Sequence, residues 1–270
     1  MRIRSFISWT SLGILSSIQL IGNNTELQTI IQNKLLSVGM HSEDSPPFFF
    51  VQDGQLTGIE MDILELMAKK MDVKLSIKRD ALKFVDVVNS VAGSHVNIGI
   101  SALFPTLERL KNVQFTQAYF NINMVMIIQR KDLIPNKKPK EELETLNNKE
   151  TKIGYYNISN EDMSLSNNFP NAVLVPYKDR SLLMKDMTTG ILNAAYIDGI
   201  ELEKWKKIKP DLALYVKSII SKQKIPLAMA LPLNSNHLLQ WVNFFISKIK
   251  DDGSLKKIIQ KYNGEKYGEI

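Results

Sequence analysis

Short apolar runs alternate with amphipathic helical segments twice along this chain, and that alternation constrains the fold more than any other feature. In the first stretch, Leu35 to Ile128, residues Leu35–Val38 read as a strand. Phe48–Val51 and Gln55–Gly58 flank Asp53-Gly54, the pattern of a tight hairpin. Ile59, Ile63, Leu66 and Met67 share one helical face, and Val73–Ile77 alternates like a strand. Phe84, Val87, Val88 and Val91 form a second helical face closed by Gly93. Val96–Ile100 is continuously apolar, as a strand buried on both faces requires, and Ile122–Gln129 is a further apolar strand. Strand–helix–strand repetition of this kind predicts an α/β sheet with helices on both faces.

After the polar segment Arg130–Glu150, the alternation resumes from Lys152 to about Ser218. Strands are expected at Ile153–Tyr155, Ala172–Val175 and Ala194–Ile197. Helices are expected near Asn160, up to Gly190, and around Ile200 and Trp205. Lys222-Gln223-Lys224 reads as a polar bridge and Ile225–Leu231 as one more strand. Two helices close the chain, with Leu238, Trp241, Val242, Phe245, Ile246 and Ile249 on one face and Leu255, Ile258, Ile259 and Tyr262 on the other's. Pattern alone thus gives two α/β units in 270 residues.

Composition excludes several classes of function. There is no cysteine, so disulfides, thiolate metal sites, cysteine nucleophiles and a lipoprotein anchor are ruled out. His41, His95 and His237 have no metal-ligand spacing and read as incidental, so neither metal nor cofactor is expected. The net charge of +6 comes from lysines scattered over helix faces, such as Lys204, Lys206, Lys207 and Lys209. No nucleic-acid partner is expected. Arg2 and Arg4 precede an uncharged, mostly apolar segment, and residues 1–24 read as an export signal or N-terminal anchor, with a cytosolic amphipathic helix as the alternative. A periplasmic or cell-envelope location follows from the export reading.

The most suggestive local motif is Pro105-Thr106-Leu107-Glu108-Arg109. Thr106 reads as a helix N-cap, and the helix start offers unpaired N–H groups beside the planar, permanently charged fork of Arg109. Together these suit a bidentate grip on a carboxylate. The plain alternative is a solvated surface arginine. Likewise, Asp198 ends an apolar strand and suits a ligand ammonium at a sheet's C-terminal edge, or it caps the helix that starts at Gly199.

Taken in order, several segments resemble the extracellular solute-binding proteins of family 3, the amino-acid receptors of ABC importers. They are Leu36–Gly39, Ser45–Phe50, Gly58–Ile63, Thr106–Arg109, Gly190–Asp198, Leu238–Trp241 and Asp252–Leu255. The resemblance spans about Leu35 to Gly264. It implies a two-lobed periplasmic-binding-protein fold of type II, each lobe a sheet flanked by helices, joined by two hinge strands. Lobe 1 would comprise 35–128 and 226–270, and lobe 2 would comprise 129–225, with hinges near Gln129 and Ile225. It further implies a monomer that binds a small amino acid or related carboxylate and delivers it to a membrane permease.

In the site that the resemblance implies, Arg109 grips the ligand carboxylate and Asp198 its ammonium. Phe84 supplies aromatic packing, and Ser45, Tyr156, Ser159 and Asn160 complete the pocket. Phe104 stands where relatives carry a hydroxyl residue, Ala102 where a glycine is usual, and Asn193 where an aspartate is usual. The missing hydroxyl removes a hydrogen bond worth about 1.5–3 kcal/mol to a charged group and favours a greasier pocket. Ser159-Asn160-Glu161 also resembles the Thr-Asn-Glu loop of exported cyclohexadienyl dehydratases on the same fold. There Glu161 would be catalytic, the alternative being a glutamate that stabilises a helix start. A sensor module is a third possibility.

Overall fold

The computed structural model describes residues 25–156 and 161–270, so the expected signal or anchor at 1–24 lies outside the described residues. Thr25 and Gln28 form a reciprocal capping box on helix α1 (Glu26–Asn33), an element the periodicity reading leaves unassigned. The first lobe then builds β1 (Leu35–His41), the hairpin β2 (Phe50–Gln52) and β3 (Gln55–Thr57), α2 (Ile59–Met71), β4 (Lys74–Ala81), α3 (Phe84–Ala92), β5 (Ile98–Gly99) and β6 (Val113–Phe115). The Asp53-Gly54 turn sits in the hairpin with positive φ at both residues, as its sequence predicts. Gly58 joins the hairpin to α2 at φ +124°, where a Cβ would lie 2.4 Å from the Phe48 carbonyl oxygen. No other residue type fits this bend unstrained.

The second lobe holds β7 (Phe120–Gln129), α4 (Pro139–Thr145), β8 (Lys152–Tyr156), α5 (Glu161–Asn168), β9 (Val173–Tyr177), α6 (Arg180–Thr188), β10 (Ala194–Asp198), α7 (Gly199–Ile208), α8 (Leu212–Tyr215) and β11 (Val216–Leu227). The chain returns through β12 (Ala230–Pro232), α9 (Asn236–Asp251), α10 (Ser254–Lys261) and β13 (Gly268–Glu269). The two main sheets have strand orders β4-β1-β5-β12-β6 and β11-β7-β10-β8-β9, with β13 added on β7. β12 pairs with β5 and β6, and Leu238, Val242, Phe245, Leu255 and Ile259 from the closing helices enter the same core as Leu36, Ile63 and Ile98. Segments from both ends of the described chain therefore share one core.

β7 and β11 run antiparallel from one lobe into the other. Phe120, Ile122 and Leu227 are buried in the first core, whereas Met124, Met126, Ile128 and Ile219 are buried in the second lobe. The first crossing thus lies at Phe120–Ile122 rather than near Gln129. Residues 120–128, placed in lobe 1 from the sequence, pair within the second sheet. Two other expectations change. Lys222-Gln223-Lys224 lies inside β11, at a register shift between Ile220 and Lys224, and Ile225–Leu231 divides into the end of β11 and β12. The division occurs because Ala228 and Met229 turn the backbone from one sheet to the other: the Met229 N–H bonds Thr116 Oγ1, and the Met229 carbonyl accepts the Thr116 N–H. No described helix is long and apolar enough to cross a membrane.

Candidate functional site

A cleft of about 490 Å3 lies between the lobes. Its first wall comes from loops at the C-terminal ends of β1, β4 and β5, and its second from the C-terminal ends of β8 and β10 and the starts of α6 and α7. Ligands of open α/β sheets gather at such strand ends, where backbone and side chains leave the ladder.

Arg109 occupies the first wall at the start of a short 3-10 turn, Arg109–Lys111, where the sequence reading expects a helix start. Thr106 holds the chain leading into it: the Arg109 N–H donates to Thr106 Oγ1 at 3.1 Å. The Thr106 oxygen thus positions Arg109, and Thr106 is not among the cleft-lining residues. Arg109 Nη1 donates to the Phe104 carbonyl oxygen at 2.7 Å, and the guanidinium lies 4.7 Å from the Phe104 ring centre. Burial pulls its pKa below the ordinary arginine value, yet an arginine remains charged at neutral pH. Nε and Nη2 have no protein partner among the described residues, so two donors remain for an anion.

Phe104 is half-buried, packing on the first core's edge as well as lining the cleft. Its ring is shared between core and cation. Phe104→Thr is therefore expected to cost ~1–2 kcal/mol of folding stability, less than the ~3–5 kcal/mol of emptying a fully buried phenylalanine site. It is also expected to change which compounds the cleft prefers, since a hydroxyl would replace part of its apolar wall. Urea unfolding and calorimetry on the same variant check this; a loss above ~3 kcal/mol with unaltered preference would make Phe104 a core residue only.

Phe84 opens α3, is 40% exposed, and packs its ring 4.7 Å from that of His41, so it serves the cleft rather than the core. His41, read as incidental, lines the cleft; its backbone N–H donates to Ser101 Oγ, and its Nδ1 accepts the Glu43 N–H at 3.1 Å. Ser45 is buried in a tight backbone bridge with Phe49 and reaches the cleft. Beneath this wall, Glu60 of α2 is fully buried. Its Oε1 accepts the Ala102 N–H at 2.5 Å and the Tyr119 hydroxyl, and its Oε2 has no hydrogen-bond partner among the described residues. Burial pushes its pKa up to about 7, against the pull of those two donors.

On the second wall, Asp198 ends β10 and caps α7, accepting the Glu201 N–H at 2.8 Å on Oδ1. It lines the cleft as well. Tyr156 ends β8 and also lines the cleft. Ser159 and Asn160 lie outside the described residues, and Glu161 is described only as the first residue of α5.

Arg180, which the sequence reading missed, opens α6. Its Nη1 lies 2.6 Å from Glu201 Oε2 and 3.5 Å from Asp198 Oδ2, and its guanidinium stacks 4.5 Å from the Tyr156 ring centre. Burial opposes its charge, but Asp198 and Glu201 more than compensate and raise its pKa above the ordinary value. The available sequence signal was a cation at the first turn of a helix, where it opposes the macrodipole and needs acidic neighbours. No cluster of His, Asp or Glu among the described residues is arranged to hold a metal ion.

Residues 36–265 match the family model of the bacterial extracellular solute-binding proteins, family 3. The chain belongs to that family. It is similar to the ABC transporter arginine-binding protein 1 of Escherichia coli (strain K12), 24% identical over 220 residues, 80% of this chain and 86% of that protein. It is also similar to the L-cystine-binding protein TcyJ of the same strain, 24% identical over 239 residues, 88% of this chain and 86% of that protein. Among solved structures, it resembles the ancestral amino acid-binding protein AncCDT-1, described as a precursor of cyclohexadienyl dehydratase. The TM-score is 0.63 at 21% identity, covering 88% of this chain and 99% of that one. The fold of this family member is that of the type II periplasmic binding proteins.

Proposed function

We propose that this family 3 member is the exported substrate-binding component of an ABC importer, and that its cleft holds one small amino acid or related carboxylate. The observation that carries this reading is Arg109: a charged guanidinium fixed by Thr106 and Phe104, lining the inter-lobe cleft with two donors unspent. Ser45, Phe84 and Phe104 form the walls on its side, and Tyr156 and Asp198 face them from the second lobe. The β7–β11 pair supports hinge closure, since two strands carry the chain between separate cores. Release of the ligand to a membrane permease follows from the transporter role of the relatives.

Binding is favoured over catalysis because the curated relatives named above are binding proteins. Turnover of prephenate to phenylpyruvate is the measurement that would reverse this preference. Closure is tested by small-angle scattering of the full chain with each compound that raises its melting temperature. Saturation is expected to lower the radius of gyration. Unchanged scattering with every compound that binds would overturn closure.

A further inference from the structure

We propose that the cleft selects ligands carrying two anionic groups, with Arg109 reading one and Arg180 the other. This rests on the binding role proposed above and adds the charge of the ligand. The acids of the second wall are already committed. Glu201 Oε1 accepts from Trp205 Nε1 at 2.7 Å and Oε2 from Arg180, while Asp198 gives Oδ1 to the Glu201 N–H and faces Arg180 with Oδ2. A ligand ammonium approaching Asp198 would meet a cation already in that place.

Arg180 itself is held rather than mobile. Asp179 caps the helix that begins at Arg180, the Tyr156 ring lies under the guanidinium, and the side chain is 31% exposed. It uses only Nη1 for its two acids, so Nε and Nη2 have no partner among the described residues, as on Arg109. Two forks with unspent donors thus line one cleft from opposite lobes. An anion held between them would also draw the lobes together.

The charged groups lining the cleft balance in number, Glu43, Asp44, Asp198 and Glu201 against Lys83, Arg109, Arg180 and Lys204, and differ in how far they are paired. Of the acids lining the cleft, Asp44 is paired with Arg79 at 2.8 Å, which leaves Glu43 as an acid with no ion pair among the described residues. Of the cations, Arg109, Lys83 and Lys204 have no ion pair among the described residues. The two lysines are exposed and act at longer range, raising the local concentration of anions without gripping them. Acidic amino acids and small dicarboxylates share the required chemistry and differ in the ammonium.

Calorimetry on the full chain with L-glutamate, L-aspartate, glutarate and succinate, set against L-glutamine and L-arginine, tests the proposal. At least one dianionic compound is expected to bind about tenfold or more tightly than glutamine and arginine, weakening as salt rises. Comparing glutamate with glutarate shows whether the ammonium is wanted. Arg180→Gln is expected to erase the preference for glutamate over glutamine. Should that variant not fold, Arg180→Lys decides, because lysine keeps a charge beside Asp198 and Glu201 and loses the fork. It is expected to weaken glutamate binding about tenfold while glutamine binding holds. Tighter binding of arginine or glutamine than of every dianionic compound, or a glutamate preference that survives in both variants, would overturn the proposal and leave the binding role intact. If no carboxylate or amino acid binds the folded protein, the binding role falls with it.

Discussion

Arg109→Lys is expected to weaken ligand binding by roughly 30- to 1000-fold, equivalent to ~2–4 kcal/mol. The substitution keeps the charge and loses everything else that the structure gives this residue. Lysine cannot donate from one atom to the Phe104 carbonyl while presenting two further donors in the same plane to a carboxylate. It also gives up the flat face that lies over the Phe104 ring. Folding stability is expected to change little, because Thr106 bonds the backbone N–H at position 109, which the substitution retains. Calorimetry with any compound that binds the unsubstituted protein reads the result. Binding within threefold would show that Arg109 does not contact the ligand.

Glu60→Gln is expected to flatten the pH dependence of stability between about pH 4.5 and pH 7, by about 3 kcal/mol across that window. The sign follows from the direction of the shift. The folded carboxyl holds its proton up to about pH 7, above its ordinary value of 4.5, because ionisation would leave a charge buried with no partner for Oε2 among the described residues. Its contribution is therefore complete below the unfolded value and is lost as pH rises through the folded one. Glutamine keeps an oxygen for the Ala102 N–H and the Tyr119 hydroxyl and cannot ionise. Relative to the unsubstituted protein, the variant gains stability at pH 8 over pH 4.5. Urea unfolding of both proteins at several pH values measures this, and a difference that stays constant with pH would mean that Glu60 titrates normally. Because Glu60 ties Ala102 of the cleft wall to Tyr119 beside the hinge strand, cleft affinity should follow the same pH window.

Much of the candidate site was legible because its residues sit where chain direction changes, and such positions have local signatures. Thr106 three residues before Arg109 announces a side-chain bond to the backbone, and Asp198 closing an apolar run announces a strand end that becomes a helix start. Phe84 was legible only in part: its apolar face with Val87, Val88 and Val91 marks a helix, but its exposure in the cleft follows from its place at the first turn. His41 and Arg180 were not legible. Each gains its meaning from partners distant in sequence, His41 from Phe84 and Ser101, and Arg180 from Tyr156, Asp198 and Glu201.

The sequence by itself determined the two α/β units, the Asp53-Gly54 hairpin, the apolar faces of the closing helices and the Thr106 bond to the Arg109 backbone, since periodicity, turn preference and capping act over a few residues. Only the tertiary structure decided where the lobes meet. Met124, Met126 and Ile128 look no different from Ile122 in an apolar run, and the core that each enters depends on strands placed beside β7 from far along the chain. It likewise decided the charge state of the cleft. An ion pair between Arg180 and Asp198 exists because β10 ends and α6 begins at the same edge of one sheet, and no local rule contains that distance.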